Sequence, residues 1–465
     1  MDYDVIIIGS GLSGLAAGIR LAQFDTRVLI VEKHTVAGGL NSYYVRKNRT
    51  FDVGLHAMTN YSKKGDRSSP LGKLLKQLRF RHEDFRLRQQ HQSEIRFPGH
   101  SLSFTNEFEF FEAEVARQFP SQIDGFRKLV KIIEEFDELN LDDRRSLPSR
   151  PVLESCLSDP VFIDMLFCPL MFYGSARERE MDFYQFVIMF KSIFMQGLAK
   201  PEGGMKYILD LMVERYRKLG GELRLGAEVA AIDTAGGEVK AVTLAGGERL
   251  EVSKVISSVG YVETLLLTDP PCPGQESLER GQLSFMESLF VLGSPARDLG
   301  YDKSIVFFST RLRFDYRVPE GLTDPASGVL CCPDNFDLPQ VSGEGLLRLT
   351  SLANFALWDR LPRREYIQAK KEERARALDS LLTFFPDFRD SVLFLDSFTP
   401  KTIKKYTGHL NGAVYGAPNK IKSGATPIKN LYICGTDQGF LGIVGATLSG
   451  ITIANLHVLK EWTGS

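Results

Sequence analysis

Residues 1–40 leave this chain few folds to choose from. Asp4-Val5-Ile6-Ile7-Ile8 is a β-branched run led by one acid, and it reads as a buried parallel strand. It runs directly into Gly9-Ser10-Gly11-Leu12-Ser13-Gly14, a GxGxxG loop. An amphipathic helix follows, with Leu12, Leu15, Ala16, Ile19 and Ala22 on one face. A second apolar strand, Arg27-Val28-Leu29-Ile30-Val31, ends in Glu32. Gly9 suits the tight turn, Gly11 lets backbone approach a pyrophosphate, and Gly14 lets the helix lie close on the strand. The helix N-terminus then faces the anion. Glu32 sits where a carboxylate accepts from a ribose 2′-OH. Gly triplets alone recur in ordinary turns; strand, loop, helix, strand and acid in this order specify a dinucleotide site. Lys33 could meet a 2′-phosphate, but a Lys at a strand end is usually solvated, and the acid before it argues against NADP.

A length of 465 residues predicts two or three domains. The formal net charge of -1 gives no global attraction to nucleic acid, so that class of partner is set aside. Cys156, Cys168, Cys272, Cys331, Cys332 and Cys434 show no CxxC or metal-ligand spacing. They read as reduced, buried thiols of a cytoplasmic protein, and no metal is expected. Met1-Asp2 lacks the basic region of a signal peptide, so the first apolar run is expected in the core. No uninterrupted apolar run reaches the roughly 18 residues of a spanning helix.

Further along, Ala37-Gly38-Gly39-Leu40-Asn41-Ser42 is a second Gly-rich turn, followed by Phe51-Asp52-Val53-Gly54-Leu55-His56. In residues 69–97, Leu71, Leu74, Leu75 and Leu78 lie at helical spacing among Lys73, Lys76, Arg79, Arg81, Arg86, Arg88 and Arg96. This is either a solvated face over a core stripe or a surface that docks on anionic lipid. Residues 162–194 are rich in Phe, Tyr and Met, which suits a helical core and equally a pocket for a flexible hydrocarbon. Pro201-Glu202-Gly203-Gly204-Met205 opens a helix to about Leu219. Gly-Gly turns at 236–237 and 246–247 then predict a β-meander ending in the buried strand Val255-Ile256-Ser257-Ser258-Val259. Residues 275–395 mix short strands, such as Leu289-Phe290-Val291-Leu292, with a charged helix from about Arg363 to Phe384. Lys429-Asn430-Leu431-Tyr432-Ile433-Cys434-Gly435-Thr436-Asp437 reads as a strand ending in Gly and an acid, and Gly442-Ile443-Val444-Gly445 opens a last helix. That helix offers either an ordinary turn or a second N-terminus aimed at a ligand.

Taken together, these motifs resemble the FAD-dependent carotenoid and retinoid oxidoreductases, within the wider amine-oxidase-like flavoproteins. The resemblance rests on Gly9, Gly11, Gly14 and Glu32, on Gly38-Gly39, and on Asp52-x-Gly54-x-His56. It continues through Pro201-Glu202-Gly203-Gly204-Met205, Thr399-Pro400-x-Thr402, Gly412-Ala413-Val414-Tyr415-Gly416 and residues 430–450. Leu40 stands where many relatives carry Arg. The implied fold is α/β: a Rossmann-like FAD-binding domain, with a parallel sheet and β-meander, plus a discontinuous α+β substrate domain. Residues 1–75, 200–274 and 395–465 would form the first. Residues 76–199 and 275–394 would form the second, with a possible membrane-docking face.

The resemblance also implies where FAD would lie. The adenosine belongs along Gly9, Gly11, Leu12, Ser13, Gly14, Glu32 and Lys33, with the Val229 backbone at the adenine. Gly38, Gly39, Leu40 and Asn41 belong at the phosphate–ribityl region, with His56 beyond them. The isoalloxazine belongs near Gly435–Gly445, where the helix start at Ile443, Val444 and Gly445 would stabilise charge developing on a reduced flavin. Asp437 would bond the ribityl chain or phosphate. His56 and Tyr415 are the candidates facing substrate, or else they pack behind it. The implied activity is oxidation, reduction or isomerisation at carbon–carbon bonds of a long apolar polyene or isoprenoid. The alternatives are a flavin amine oxidase and a prenyl-carrying escort-type protein. No second GxGxxG appears, so the electron partner is left open.

Overall fold

The computed structural model describes residues 2–54, 56–136, 147–338 and 343–460; Leu55 of the Asp-x-Gly-x-His motif lies outside the described residues. Five parallel strands form the first sheet's centre, in the order Glu222–Leu225, Val28–Glu32, Tyr3–Ile8, Arg249–Ser257, Leu431–Ile433. Both faces of Tyr3–Ile8 and Val28–Glu32 are covered, which is why these two read as continuous apolar runs, while the edge strand Glu222–Leu225 is exposed at both its ends. Val5, Ile7, Val28 and Ile30 enter one core, while Ile6, Ile8, Leu29 and Val31 enter another. The first core lies under the helices Leu12–Ala22, Gly204–Lys218 and Gly442–Ala454. The second lies under the expected meander, Val229–Ala235, Glu238–Leu244 and Arg249–Ser257. The strand Arg249–Ser257 belongs to both layers. Its residues 249–251 pair in the meander, and residues 252–257 pair with Tyr3–Ile8.

A second sheet of seven strands runs Val392–Phe398, Ser284–Leu292, Gly345–Ala353, Ser327–Cys331, Ile305–Ser309, Ser93–Phe97, His100–Phe104. All of its pairings are antiparallel except that of Ile305–Ser309 with Ser93–Phe97. Alternation again separates two cores. Ile305, Phe307, Val329 and Cys331 meet an aromatic cluster, and Val306, Phe308 and Leu330 meet Ala377, Leu378 and Leu381 of the helix Arg363–Leu381.

The Phe/Met-rich segment builds that aromatic cluster, as the helices Pro160–Gly174 and Phe183–Phe190 and a π-helical turn at Lys191–Met195. Phe111 and Phe194 stack at 4.3 Å and Phe119 and Phe162 at 4.8 Å. Rings this close leave no open channel between them, so the segment is core. Phe172 and Tyr173 are its residues that reach the cleft described below.

The structure departs from other expectations in ways that packing explains. Position 395 falls inside Val392–Phe398, an edge strand of the second sheet, and Phe80 and Phe85 still belong to the first domain's core beyond position 75. Leu71, Leu74, Leu75 and Leu78 of the helix Pro70–Leu78 are buried in that same core, so this stripe is not available to enter lipid. Among the described residues one helix, Gly442–Leu459, is long and apolar enough to span a bilayer by length and composition, although Thr447, Ser449, Thr452, Asn455 and His457 interrupt its apolar run. Here it lies across the first helix, where an added Cβ on Gly450 would overlap the Ser13 carbonyl oxygen.

Candidate active site

A cleft of about 490 Å³ separates the two sheets, and its floor is made of glycine. Gly9 has φ +92°, and an added Cβ there would strike the Ser258 hydroxyl. A Cβ on Gly14 would overlap the Gly9 carbonyl oxygen, so that residue seats the helix on its own loop. Gly11 has open space where its Cβ would be, and the ring-free backbone leads into the N-terminus of Leu12–Ala22. The Gly38 N–H donates to the Ser10 carbonyl (3.0 Å), which lays the second Gly turn beside the first. From the far end of the chain, Gly435 comes within reach of Ser13, and its N–H donates to Ser449 Oγ (2.7 Å). Two helix N-termini, at Leu12 and Gly442, therefore open on one cleft. Their unsatisfied N–H groups are suited to anions.

At the outer end, Glu32 Oε2 accepts from the Ser10 N–H (2.8 Å) and Oγ–H (2.9 Å), and Oε1 accepts from the His34 N–H (2.9 Å). A carboxylate has about four acceptor positions; the fourth is left for a ligand hydroxyl. The Ala227 N–H donates to the Glu32 carbonyl (2.8 Å), which brings Ala227, Glu228 and Val229 against the same end. Lys33 and His409 complete this wall. His409 Nδ1 lies 3.7 Å from Glu263 Oε1, beyond hydrogen-bond reach, and is buried. Burial lowers the His409 pKa, but Glu263 and then Asp437 outweigh it, and the net direction is upward.

The inner end is assembled by the Asp52-x-Gly54-x-His56 motif. Asp52 accepts from Lys200 Nζ (3.0 Å) and from the Met205 N–H (2.8 Å), which fixes the start of the helix Gly204–Lys218. The Val53 carbonyl accepts from Arg348 Nη2 (2.5 Å), and Gly54 packs against the Leu40 carbonyl. His56 Nε2 then lies 3.0 Å from both Glu287 Oε2 and Thr350 Oγ1, and the Thr350 hydroxyl donates to Glu287 Oε2 (3.0 Å). Arg348 Nε donates to Glu287 Oε1 (2.7 Å). Arg348 and Glu287 are 1% and 3% exposed, so this is a buried ion pair. Burial raises the Glu287 pKa, Arg348 and His56 more than reverse that, and the carboxyl ends below its ordinary value. Burial dominates at His56 and holds it below the ordinary histidine value despite Glu287. Around this polar cluster the walls are Phe172, Tyr173, Phe285, Val329 and Tyr415. The Tyr415 hydroxyl donates to the Phe172 carbonyl, so its oxygen is engaged.

Most of the residues singled out in the sequence line this one cleft: Gly9, Gly11, Leu12, Ser13, Glu32, Lys33, Gly38, Gly39, Leu40, Asn41, His56, Val229, Tyr415, Gly435 and Ile443. Gly14, Val444 and Gly445 act from behind it as packing positions. Asp437 is buried behind the cleft wall. Its oxygens accept from the Tyr261 N–H (2.6 Å) and the Ala417 N–H (2.8 Å), and Lys420 Nζ lies 3.6 Å away. It ties three backbone segments together, and Thr436 takes the cleft wall instead. Sequence reading missed Glu287, Thr350 and Arg348. The available signal was one acid in the otherwise uncharged strand Ser284–Leu292 and one Arg in Gly345–Ala353, charges in buried strands that need partners.

A cradle without Cβ atoms, two convergent helix N-termini and an acid at the ribose distance fit a flavin dinucleotide. Comparison with known proteins agrees. The model of the family described as "Flavin containing amine oxidoreductase" matches residues 12–456. The chain is similar to a chloroplastic prolycopene isomerase of Arabidopsis thaliana, at 24% identity over 97% of this chain and 82% of that one. It is likewise similar to an all-trans-retinol 13,14-reductase of Danio rerio, at 24% identity over 98% of this chain and 86% of that one. Its fold matches a solved oxidoreductase from Methanosarcina mazei with a TM-score of 0.68 at 18% identity, covering 97% of this chain and 99% of that one. The chain belongs to the flavin-containing amine oxidoreductase family and is an FAD-dependent oxidoreductase.

Proposed function

We propose that this oxidoreductase acts on carbon–carbon bonds of a long apolar polyene or isoprenoid, by desaturation, saturation or isomerisation. The observation that carries this reading is similarity along nearly the whole chain to a prolycopene isomerase and a retinol reductase. The inner walls of Phe172, Phe285, Val329 and Tyr415 suit such a ligand. When bound, FAD supplies two-electron chemistry that an unactivated hydrocarbon could not obtain from side chains. The chain's own part is to hold and shield. The helix starts at Leu12 and Gly442 bind anionic groups, Glu32 takes a ribose hydroxyl, and the aromatic walls exclude water.

A panel of carotenoids, retinoids and quinone lipids, incubated with flavin-loaded protein and read by chromophore change and chromatography, tests this. Altered polyene products are expected. A flavin amine oxidase is the second reading, favoured by the family's description. Hydrogen peroxide release from soluble amines, with no polyene turned over, would reject the first reading in its favour.

We also infer peripheral contact with anionic lipid through the exposed Lys73, Lys76, Arg79, Arg81, Arg86 and Arg88. With the leucine stripe buried, the attraction would be electrostatic alone. Co-sedimentation with phosphatidylserine vesicles should therefore be present at low salt and disappear as salt rises. No sedimentation at low salt would end this inference.

A further inference from the structure

The buried Arg348–Glu287 ion pair joins two neighbouring strands of the second sheet at the inner end of the cleft, and it bears on which nitrogen of His56 carries a proton. Glu287 is held as a carboxylate by Arg348, so it can accept hydrogen bonds and donate none. His56 Nε2, 3.0 Å from Glu287 Oε2, must therefore be the protonated nitrogen. The Thr350 hydroxyl spends its proton on the same carboxylate oxygen and presents only lone pairs to Nε2. Both neighbours ask for Nε2–H. Burial lowers the His56 pKa, which favours the neutral ring, and in a neutral ring protonated at Nε2 the Nδ1 atom is a bare lone pair. Nδ1 has no hydrogen-bond partner among the described residues, and the ring lines the cleft.

We propose that Glu287 is a positioning residue that fixes His56 as its Nε2–H tautomer, so that Nδ1 is presented to the cleft as an acceptor for a hydroxyl group on an otherwise apolar substrate. A pure hydrocarbon, or a molecule whose oxygen can only accept, leaves that lone pair unmatched. A site built to bond a hydroxyl discriminates strongly against an analogue that lacks it. The substrate half of this proposal rests on the polyene reading above; the tautomer half does not.

Two measurements test it. First, with ¹⁵N-labelled imidazoles, the His56 signal is picked out from the seven histidines by its loss in His56→Gln. Nε2 is expected to be protonated and Nδ1 not. In Glu287→Gln an amide N–H can face Nε2, and the proton is expected to move to Nδ1. Second, holoprotein is titrated with all-trans-retinol and with its methyl ether, which has the same polyene but accepts only, following the flavin absorption band. The alcohol is expected to bind at least about tenfold more tightly. In Glu287→Gln that preference should be lost or reversed.

A doubly protonated His56, or a proton on Nδ1, in the unmodified protein overturns the proposal. Equal affinity for alcohol and ether overturns its substrate half, while turnover of either polyene leaves the proposed function standing. Failure of every polyene, with amines oxidised, overturns that function and the substrate half with it, and the tautomer measurement still decides the role of Glu287. Should Glu287→Gln not fold, the labelled and ligand measurements on the unmodified protein decide alone.

Discussion

His56 and His409 stand at opposite ends of one cleft and respond to acid in opposite ways. His56 is held below the ordinary histidine pKa, so below about pH 6.5 the unfolded chain takes a proton that the folded site refuses. Its contribution to stability is complete above that pH and is lost as pH falls. His409 is raised, so its contribution is complete below about pH 6.5 and is lost as pH climbs through the folded value. The pH dependence of melting temperature from pH 5 to 8.5 should therefore change in opposite directions in His56→Gln and His409→Gln. Removing His56 flattens the acid-side decline, and removing His409 flattens the alkaline-side decline. Changes of pH slope of the same sign in both variants would show that the electrostatic account of one end is wrong. The same scale shows where sequence reading fails. Glu32 is legible because its partners, Ser10 and His34, are near in sequence and belong to one motif. The bonds of Asp437 are not legible, because its partners, Tyr261 and Ala417, lie on segments whose meeting no local pattern announces.

Elements built from local contacts are the legible ones. The strand–loop–helix–strand of residues 3–32 closes on itself through Gly14 and the register of Val5 opposite Val28, and Gly-Gly turns mark the meander. The second sheet is not legible, because its strands come from scattered segments and its inner strands are buried on both faces, which removes the polar alternation that would orient them. Its parallel pairing of Ser93–Phe97 with Ile305–Ser309 joins strands some 200 residues apart. The helices of residues 160–195 have no polar face, so core and pocket look alike in sequence; stacking at Phe111–Phe194 decides for core. Phe111→Ala should then cost about 3–5 kcal/mol of stability, since it empties a packed site. FAD affinity should change little, because Phe111 lies outside the cleft wall. Guanidinium unfolding and flavin titration of that variant check both parts. A large loss of FAD affinity with stability intact would place the aromatic cluster in the binding site after all.

At the scale of the whole molecule, the cleft exists only because the two ends of the chain and both sheets meet. Gly435 and Gly450 approach Ser13, Asp52 binds Lys200, His56 binds Glu287, and Arg46 binds Asp396 across the domain boundary at 2.8 Å. A ligand lying along such a seam stabilises both sides at once, since it binds the assembled state and not the unfolded chain. FAD at about 100 times its dissociation constant should add roughly 2.7 kcal/mol. The domains should gain it together. Trp358 reports on the second domain alone, since its ring is buried beside Met286 and its indole N–H donates to the Leu322 carbonyl (2.9 Å). With Trp462 replaced by Phe, its fluorescence isolates that domain, while release of bound flavin reports the first. Heating in rising FAD should move both signals upward by the same amount. If Trp358 unfolds at a temperature indifferent to FAD, the contacts across the seam do not couple the domains. The second sheet would then be a neighbour of the flavin site and not one of its walls.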